Sequence, residues 1–252
     1  MMNQEHFTVA DLSIDQVVAK LEEFGLVVIP NYLGADDVEK LFKEFYEFTE
    51  TEDTPYKKNT PYSEGVATRV KRLEMDTERF KKTDEVFGSQ FMREITDKYW
   101  SKEAGLNEEI FVVKDVLGSK HVASDLHFDV KPTLKYFIYL NDTTAENGAF
   151  SCVPGSHKVT HKLRQKHQRK LSYKNRELTR ELPVSEEDVI PIEGRAGTLI
   201  IFSTEVFHKA GNITKGERYV MRGHSRTVEQ DRMGDTTGPF EHLKRKLKSF
   251  LR

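Results

Sequence analysis

The sequence predicts a mainly β domain, a barrel or sandwich of short strands with helices packed on it. Three observations lead there. From residue 108 onward seven short segments, at 110–117, 126–130, 134–141, 149–153, 188–192, 198–202 and 217–225, are apolar or alternating and rich in β-branched and aromatic residues. Gly, Pro, Asn or Asp separates most of them, and Asn147-Gly148 and Pro154-Gly155 are turn pairs. Before residue 108 the apolar residues recur at helical spacing instead. A chain of 252 residues can bury a substantial core. One domain over 1–252 is therefore expected, with helices to about 107, a barrel over about 108–227 and a closing helix over about 236–252.

Taken in order, Ser13 caps a helix over 14–24, where Val17, Val18, Leu21 and Phe24 share one side before Gly25 stops it. Residues 26–29 followed by Pro30 read as a short buried strand. A second amphipathic helix over 35–48 aligns Val38, Leu41, Phe42, Phe45 and Phe48. Residues 50–66 are polar, contain two prolines and read as loop, and a third helix is expected over 84–100. Gly194-Arg195-Ala196-Gly197 marks a tight entry into the strand at 198–202. One segment breaks the β pattern: 158–180 holds nine basic residues against Glu177 alone, too polar for core and expected to be helical. It lies in a basic insert at about 158–186. Phe240, Leu243, Leu247 and Leu251 give the C-terminal stretch a helical stripe that would dock on the barrel.

Composition narrows the class. A hydrophobic share of 37% against 32% charged residues, with mean hydropathy -0.62, describes a polar globular chain. There is no apolar run near membrane-spanning length and no leader-like start, so a cytoplasmic location is expected. The net charge of -2 argues against a nucleic-acid binder. Cys152 is the lone cysteine and sits in an apolar stretch, which suits a buried thiol better than a nucleophile.

The chemistry concentrates in LHFD at 126–129 and in Phe207-His208. In a strand, His127 and Asp129 would project to one side, about 7 Å apart along the backbone. Together with His208 they could supply two imidazoles and a carboxylate to one metal ion. That donor set leaves one face of an iron(II) ion open, as in non-haem oxygenases. With nine histidines and 15 aspartates in the chain, roughly half an H-x-D match arises by chance, so context must carry it. His6, His121, His161, His167, His224 and His242 are read as structural, and so is His157 in its PGSH turn.

The context is an ordered series: LHFD at 126–129, ENGAFSCVPGSHK at 146–158, GRAGTLIIF at 194–202, FH at 207–208 and ER at 217–218. With FGLVVIPNYL at 24–33 behind a helix, this series resembles the phytanoyl-CoA dioxygenase family of iron(II)- and 2-oxoglutarate-dependent oxygenases, over residues from about 15 to about 225. The resemblance implies a double-stranded β-helix, a cupin-like jelly-roll barrel. It implies His127, Asp129 and His208 as iron ligands, with 2-oxoglutarate and dioxygen as co-substrates. It matches Arg218 to the arginine that grips the distal carboxylate of 2-oxoglutarate, a task suited to a planar guanidinium. The spacing from His208 is about one residue short, and Arg222, on the same strand face, is the alternative. On the strand at 134–141, Thr133, Lys135, Phe137 and Tyr139 share a face expected to line the interior, so Thr133, Lys135 and Phe137 are candidate co-substrate contacts.

The implied reaction is hydroxylation of a small organic substrate with release of succinate and carbon dioxide. Asp129 argues against halogenation, since halogenating relatives have a small residue in its place. Desaturation and ring formation stay open, and so does an anionic substrate drawn by the basic insert. Two further readings compete: a non-catalytic metal- or ligand-binding jelly roll acting as a sensor, and an oxygenase acting on a macromolecule.

Overall fold

The computed structural model describes residues 2–50, 65–119, 124–167, 177–179 and 184–232. Most of the expected loop at 50–66, the middle of the basic insert and the expected helix over 236–252 lie outside the described residues. Helix α1 (Ile14–Phe24) begins at Ser13, whose side chain accepts from Gln16 N, and ends at Gly25 with φ 76°. Its buried side is Val17, Val18, Leu21 and Phe24, as the spacing predicts. Strand β1 (Leu26–Ile29) is wholly buried and leads to α2 (Ala35–Glu50). The expected helix at 84–100 is two helices, α3 (Lys81–Phe87) and α4 (Gln90–Trp100). Ser89 breaks the run by capping α4 through Met92 N, a local bond that competes with continuing the helix.

The strands form two antiparallel sheets. The larger has the order β1, β8 (Leu199–Ser203), β5 (Leu134–Tyr139), β10 (Glu217–Thr227), β4 (Glu109–Val116), β2 (Val66–Lys71), with β3 (Ala104–Leu106) also paired to β10. The smaller joins β7 (Ile190–Pro191), β6 (Ser151–Val153) and β9 (Phe207–Lys209). One face of the large sheet packs on the helices. There Leu134, Tyr136 and Ile138 of β5 join Leu21, Phe45, Phe80 and Ile95 in one core. The other face packs on the small sheet, and Tyr139, Ile200, Phe202 and Val220 meet Phe150 and Cys152 in a second core. This is the jelly roll with external helices that the sequence leads one to expect. The alternation along β5 also falls as predicted, because only one of its faces can meet the helices.

Two local expectations fail. Residues 126–130 are not a strand: only His127 bridges, to His208, while Asp129 N bonds Thr204 O at 3.0 Å. Strands β2, β3 and β9 were not foreseen, being either charged along the edge or only three residues long. Among the described residues no helix is long and apolar enough to cross a membrane. Cys152 is buried, and burial pushes its thiol up, away from nucleophilic use.

Candidate metal centre and pocket

His127 and His208 exchange backbone hydrogen bonds, His127 N to His208 O at 3.0 Å and His208 N to His127 O at 2.7 Å. This bridge ties the H-x-D segment to β9 and brings the imidazole centroids to 4.6 Å. Each ring is oriented by a carbonyl two residues earlier in the chain: His127 Nδ1 lies 2.7 Å from Asp125 O and His208 Nδ1 2.9 Å from Val206 O. Protonated there, both rings turn the Nε2 lone pair inward, the usual state of a ligating histidine. The two Nε2 atoms stand 3.6 and 3.9 Å from Asp129 Oδ1. The three donors lie within 4.8 Å of one another, a spacing a single ion can bridge.

Asp129 Oδ2 is occupied by Lys135 Nζ at 2.8 Å, so Oδ1 is the oxygen that faces both histidines. Burial works to raise the Asp129 carboxyl, but Lys135 and the two imidazoles outweigh it and hold the group well below the usual carboxylate range. Burial, followed by the proximity of His127, pushes His208 down to about 3. Carboxylate ionised and imidazole neutral are the forms that bind metal.

A cavity of about 270 Å³ opens beside this cluster. Lys135 and Thr133 line it. Phe137 stands behind its wall, packed against Phe150 and Phe202 at centroid distances of 5.8 and 5.4 Å. The structure does not bring Arg218 into the cavity. Across the β10–β4 ladder Arg218 faces Asp115, and its Nε and Nη2 donate to Asp115 Oδ2 at 3.2 and 2.6 Å while Nη1 donates to Gly148 O. Arg222, the alternative, does line the cavity. Its guanidinium sits over Phe111 at 4.5 Å and near Phe137 at 5.6 Å, its Nε is buried with no hydrogen-bond partner, and among the described residues it makes no ion pair.

By its sequence Arg164 belongs to the basic insert that is too polar for core. On α5 (His157–His167) it is instead buried, donating Nη1 to Val130 O at 2.7 Å and Nη2 to Asp129 O, with Nε 3.0 Å from Glu205 Oε1. One guanidinium thus joins the segment that carries Asp129 to the turn that precedes His208. Local pattern could not reveal it, because its acceptors are backbone carbonyls more than thirty residues away. Lys158, Lys162 and Lys166 of the same helix are exposed, and Arg169, Lys170, Lys174, Arg176 and Arg180 lie outside the described residues.

Residues 21–220 match the model of the family described as phytanoyl-CoA dioxygenase (PhyH). The chain belongs to that family. Among sequence relatives, the dioxygenase olcK of Penicillium canescens is 27% identical over 224 residues, 79% of this chain and 65% of that protein. The chain therefore matches less than two thirds of that relative's length. Similar solved structures include HygX from Streptomyces hygroscopicus with nickel and 2-oxoglutarate bound, at TM-score 0.57 and 16% identity, covering 84% of this chain and 87% of that one. The epimerase SnoN with Fe3+, α-ketoglutarate and nogalamycin RO gives 0.59 and 14%, covering 89% and 91%. The carbocyclase SnoK from nogalamycin biosynthesis gives 0.61 and 18%, covering 89% and 85%. At such identities the likeness is one of fold. The chain thus has the fold of these 2-oxoglutarate-dependent enzymes, two of them solved with nickel or iron and 2-oxoglutarate bound, and itself brings together a His-Asp-His constellation.

Proposed function

We propose that the chain is an iron(II)- and 2-oxoglutarate-dependent oxygenase that hydroxylates a small organic molecule in the cytoplasm. The observation that carries this reading is the convergence of His127 Nε2, Asp129 Oδ1 and His208 Nε2 at one edge of the cavity. Two neutral imidazoles and one carboxylate suit iron(II) and leave coordination positions open. With both bound, iron and 2-oxoglutarate supply dioxygen activation coupled to release of succinate and carbon dioxide, and one oxygen atom enters a substrate C–H bond.

The protein's own part is positioning. Lys135 neutralises one carboxylate oxygen of Asp129 and so favours single-oxygen ligation through the other. Arg222 pairs with the distal carboxylate of 2-oxoglutarate. Support for that role is its place on the cavity wall, its buried Nε and its support by Phe111 and Phe137, whereas Arg218 is engaged with Asp115. Phe137 supports Arg222, and Thr133 helps hold the ligand segment, its N bonded to Thr204 Oγ1 at 3.0 Å and its Oγ1 to Lys131 O. Phe202 and Phe150 close the site against water behind His208.

The test supplies iron(II), 2-oxoglutarate and ascorbate, and measures succinate alone and with candidate substrates. Succinate above a His127→Ala control supports an oxygenase. Metal and 2-oxoglutarate binding with no succinate would indicate a binding module instead. Products formed under labelled dioxygen separate hydroxylation, with one labelled oxygen added, from epimerisation or ring closure, which add none.

A further inference from the structure

One polar group in the cavity wall has no task in the reaction proposed above. His224, a structural histidine by sequence alone, is half-buried on β10 and lines the same cavity as His127 and Asp129. Its Nε2 lies 3.0 Å from Arg226 Nη2. A guanidinium offers only donors, so Nε2 must accept, and the one proton of a neutral imidazole then sits on Nδ1. The ring is neutral, because burial first, and then the cations Arg226, Lys135 and Arg222, push it down to about 3. Among the described residues Nδ1 has no hydrogen-bond partner. A half-buried N–H in a cavity wall with no protein acceptor is open to a ligand.

Strand register fixes where that donor stands. His224 faces Lys135 across the β10–β5 ladder, and Lys135 Nζ lies 2.8 Å from Asp129 Oδ2, so His224 is level with the His-Asp-His end of the cavity. Arg222 faces Phe137 two residues away, on the same face of β10 and about 6–7 Å along it. The two side chains share one wall, Phe111, which stands across the β10–β4 ladder from Arg222. The Arg222 guanidinium is 4.5 Å from its centroid and the His224 ring 6.1 Å. The separation along the strand is close to the length of an extended five-carbon dicarboxylate. A molecule of that length held at Arg222 by one carboxylate brings its other end to His224.

We infer that His224 is a second contact for 2-oxoglutarate, its Nδ1–H donating to the C1 carboxylate at the metal-binding end while Arg222 holds the C5 carboxylate. This rests on the proposed reading of the site as one for iron and 2-oxoglutarate. An ionised carboxylate only accepts, so an N–H donor fits it, and a hydrogen bond to a charged acceptor is the stronger kind. Held at both ends, the co-substrate cannot swing about Arg222, which is the orientation a positioned reaction needs. Arg226 acts through His224, fixing the ring and its tautomer.

The experiment uses the full chain loaded with nickel(II), titrated calorimetrically with 2-oxoglutarate and with 2-oxopentanoate, which keeps the keto-acid end and lacks the C5 carboxylate. His224→Leu should raise the dissociation constant for both ligands by roughly tenfold or more and leave nickel(II) affinity within twofold of the parent. His224→Asn, which returns an N–H donor near the place of Nδ1, should recover part of the loss. Arg222→Gln should weaken 2-oxoglutarate and spare 2-oxopentanoate. Unchanged 2-oxoglutarate binding in His224→Leu, or equal losses in His224→Leu and His224→Asn, overturns the contact and leaves the oxygenase reading intact. A loss in His224→Leu confined to 2-oxoglutarate moves the donor to the C5 end and overturns it too. A second readout needs no substitution: in nuclear magnetic resonance of the zinc(II)-loaded parent with isotopically labelled histidine, His224 should carry its proton on Nδ1, and that signal should shift when 2-oxoglutarate is added. A proton on Nε2, or no shift at saturation, overturns the contact. Failure of the parent to bind nickel(II) and 2-oxoglutarate overturns the oxygenase reading and the contact with it.

Discussion

Two arginines on one strand face have opposite fates, and the difference is one opposing residue. Arg218 lies across the ladder from Asp115, and both side chains are buried, 6% and 1% exposed. Arg222 lies across from Phe111 and Phe137, which offer ring faces and no counter-charge. Removing one partner of a buried ion pair leaves the other charge uncompensated, so Arg218→Gln should destabilise the fold by about 3–5 kcal/mol in chemical denaturation. Arg222→Gln should leave the fold in place and raise the dissociation constant for 2-oxoglutarate by roughly tenfold to a hundredfold, the worth of a hydrogen-bonded charge. The reverse pattern would return the co-substrate role to Arg218. The motif alone favours Arg218, because the series ends in ER at 217–218. That Asp115 would stand opposite is a matter of register between segments about a hundred residues apart, which no local pattern carries.

Among the elements, α5 acts as a clamp. Arg164 reaches from it to the carbonyls of Asp129 and Val130 and to Glu205, so one helix sets the separation of the segment bearing His127 and Asp129 from the segment bearing His208. Outer contacts of this kind tune ligand geometry, and Arg164→Ala should lower metal affinity by roughly tenfold to a hundredfold in a competition titration. Arg164→Lys, which keeps charge and loses the fork, should recover only part of it. A purely structural role would lower thermal stability in both variants without separating their metal affinities. The turn after α1 shows the same dependence on neighbours. At Gly25 a Cβ would meet Val206 Cγ1 at 2.4 Å and His157 Nδ1 at 2.7 Å, and φ is 76°. Gly25→Ala should therefore cost at least about 1–2 kcal/mol, read as a lowered denaturation midpoint. Gly25 was legible as a helix stop, and its packing against the turn before His208 was not.

At the scale of the whole molecule, the His127, Asp129 and His208 cluster sits where the two sheets meet. His208 belongs to β9 of the small sheet, while Asp129 is held by Lys135 of β5 in the large one. An ion bound there links both sheets and is absent from the unfolded chain. Nickel(II) with 2-oxoglutarate, each at about a hundred times its dissociation constant, should stabilise the protein by about 3 kcal/mol or more. The measurement is a thermal melt with and without chelator, and a His127→Ala variant should show no metal-dependent shift.

The sequence by itself determined the class of fold, the boundaries of α1, β1 and most barrel strands, and the three metal-ligand candidates. Those features follow from short-range rules: period, capping, turn residues, and an ordered series of motifs. Tertiary structure alone decided that His127, itself outside any regular strand, pairs with His208 of β9, that Lys135 takes one oxygen of Asp129, and that Arg164 is buried. It also decided which arginine faces the cavity. Each of these depends on which distant residue stands opposite, and a side chain's charge or polarity does not name its partner.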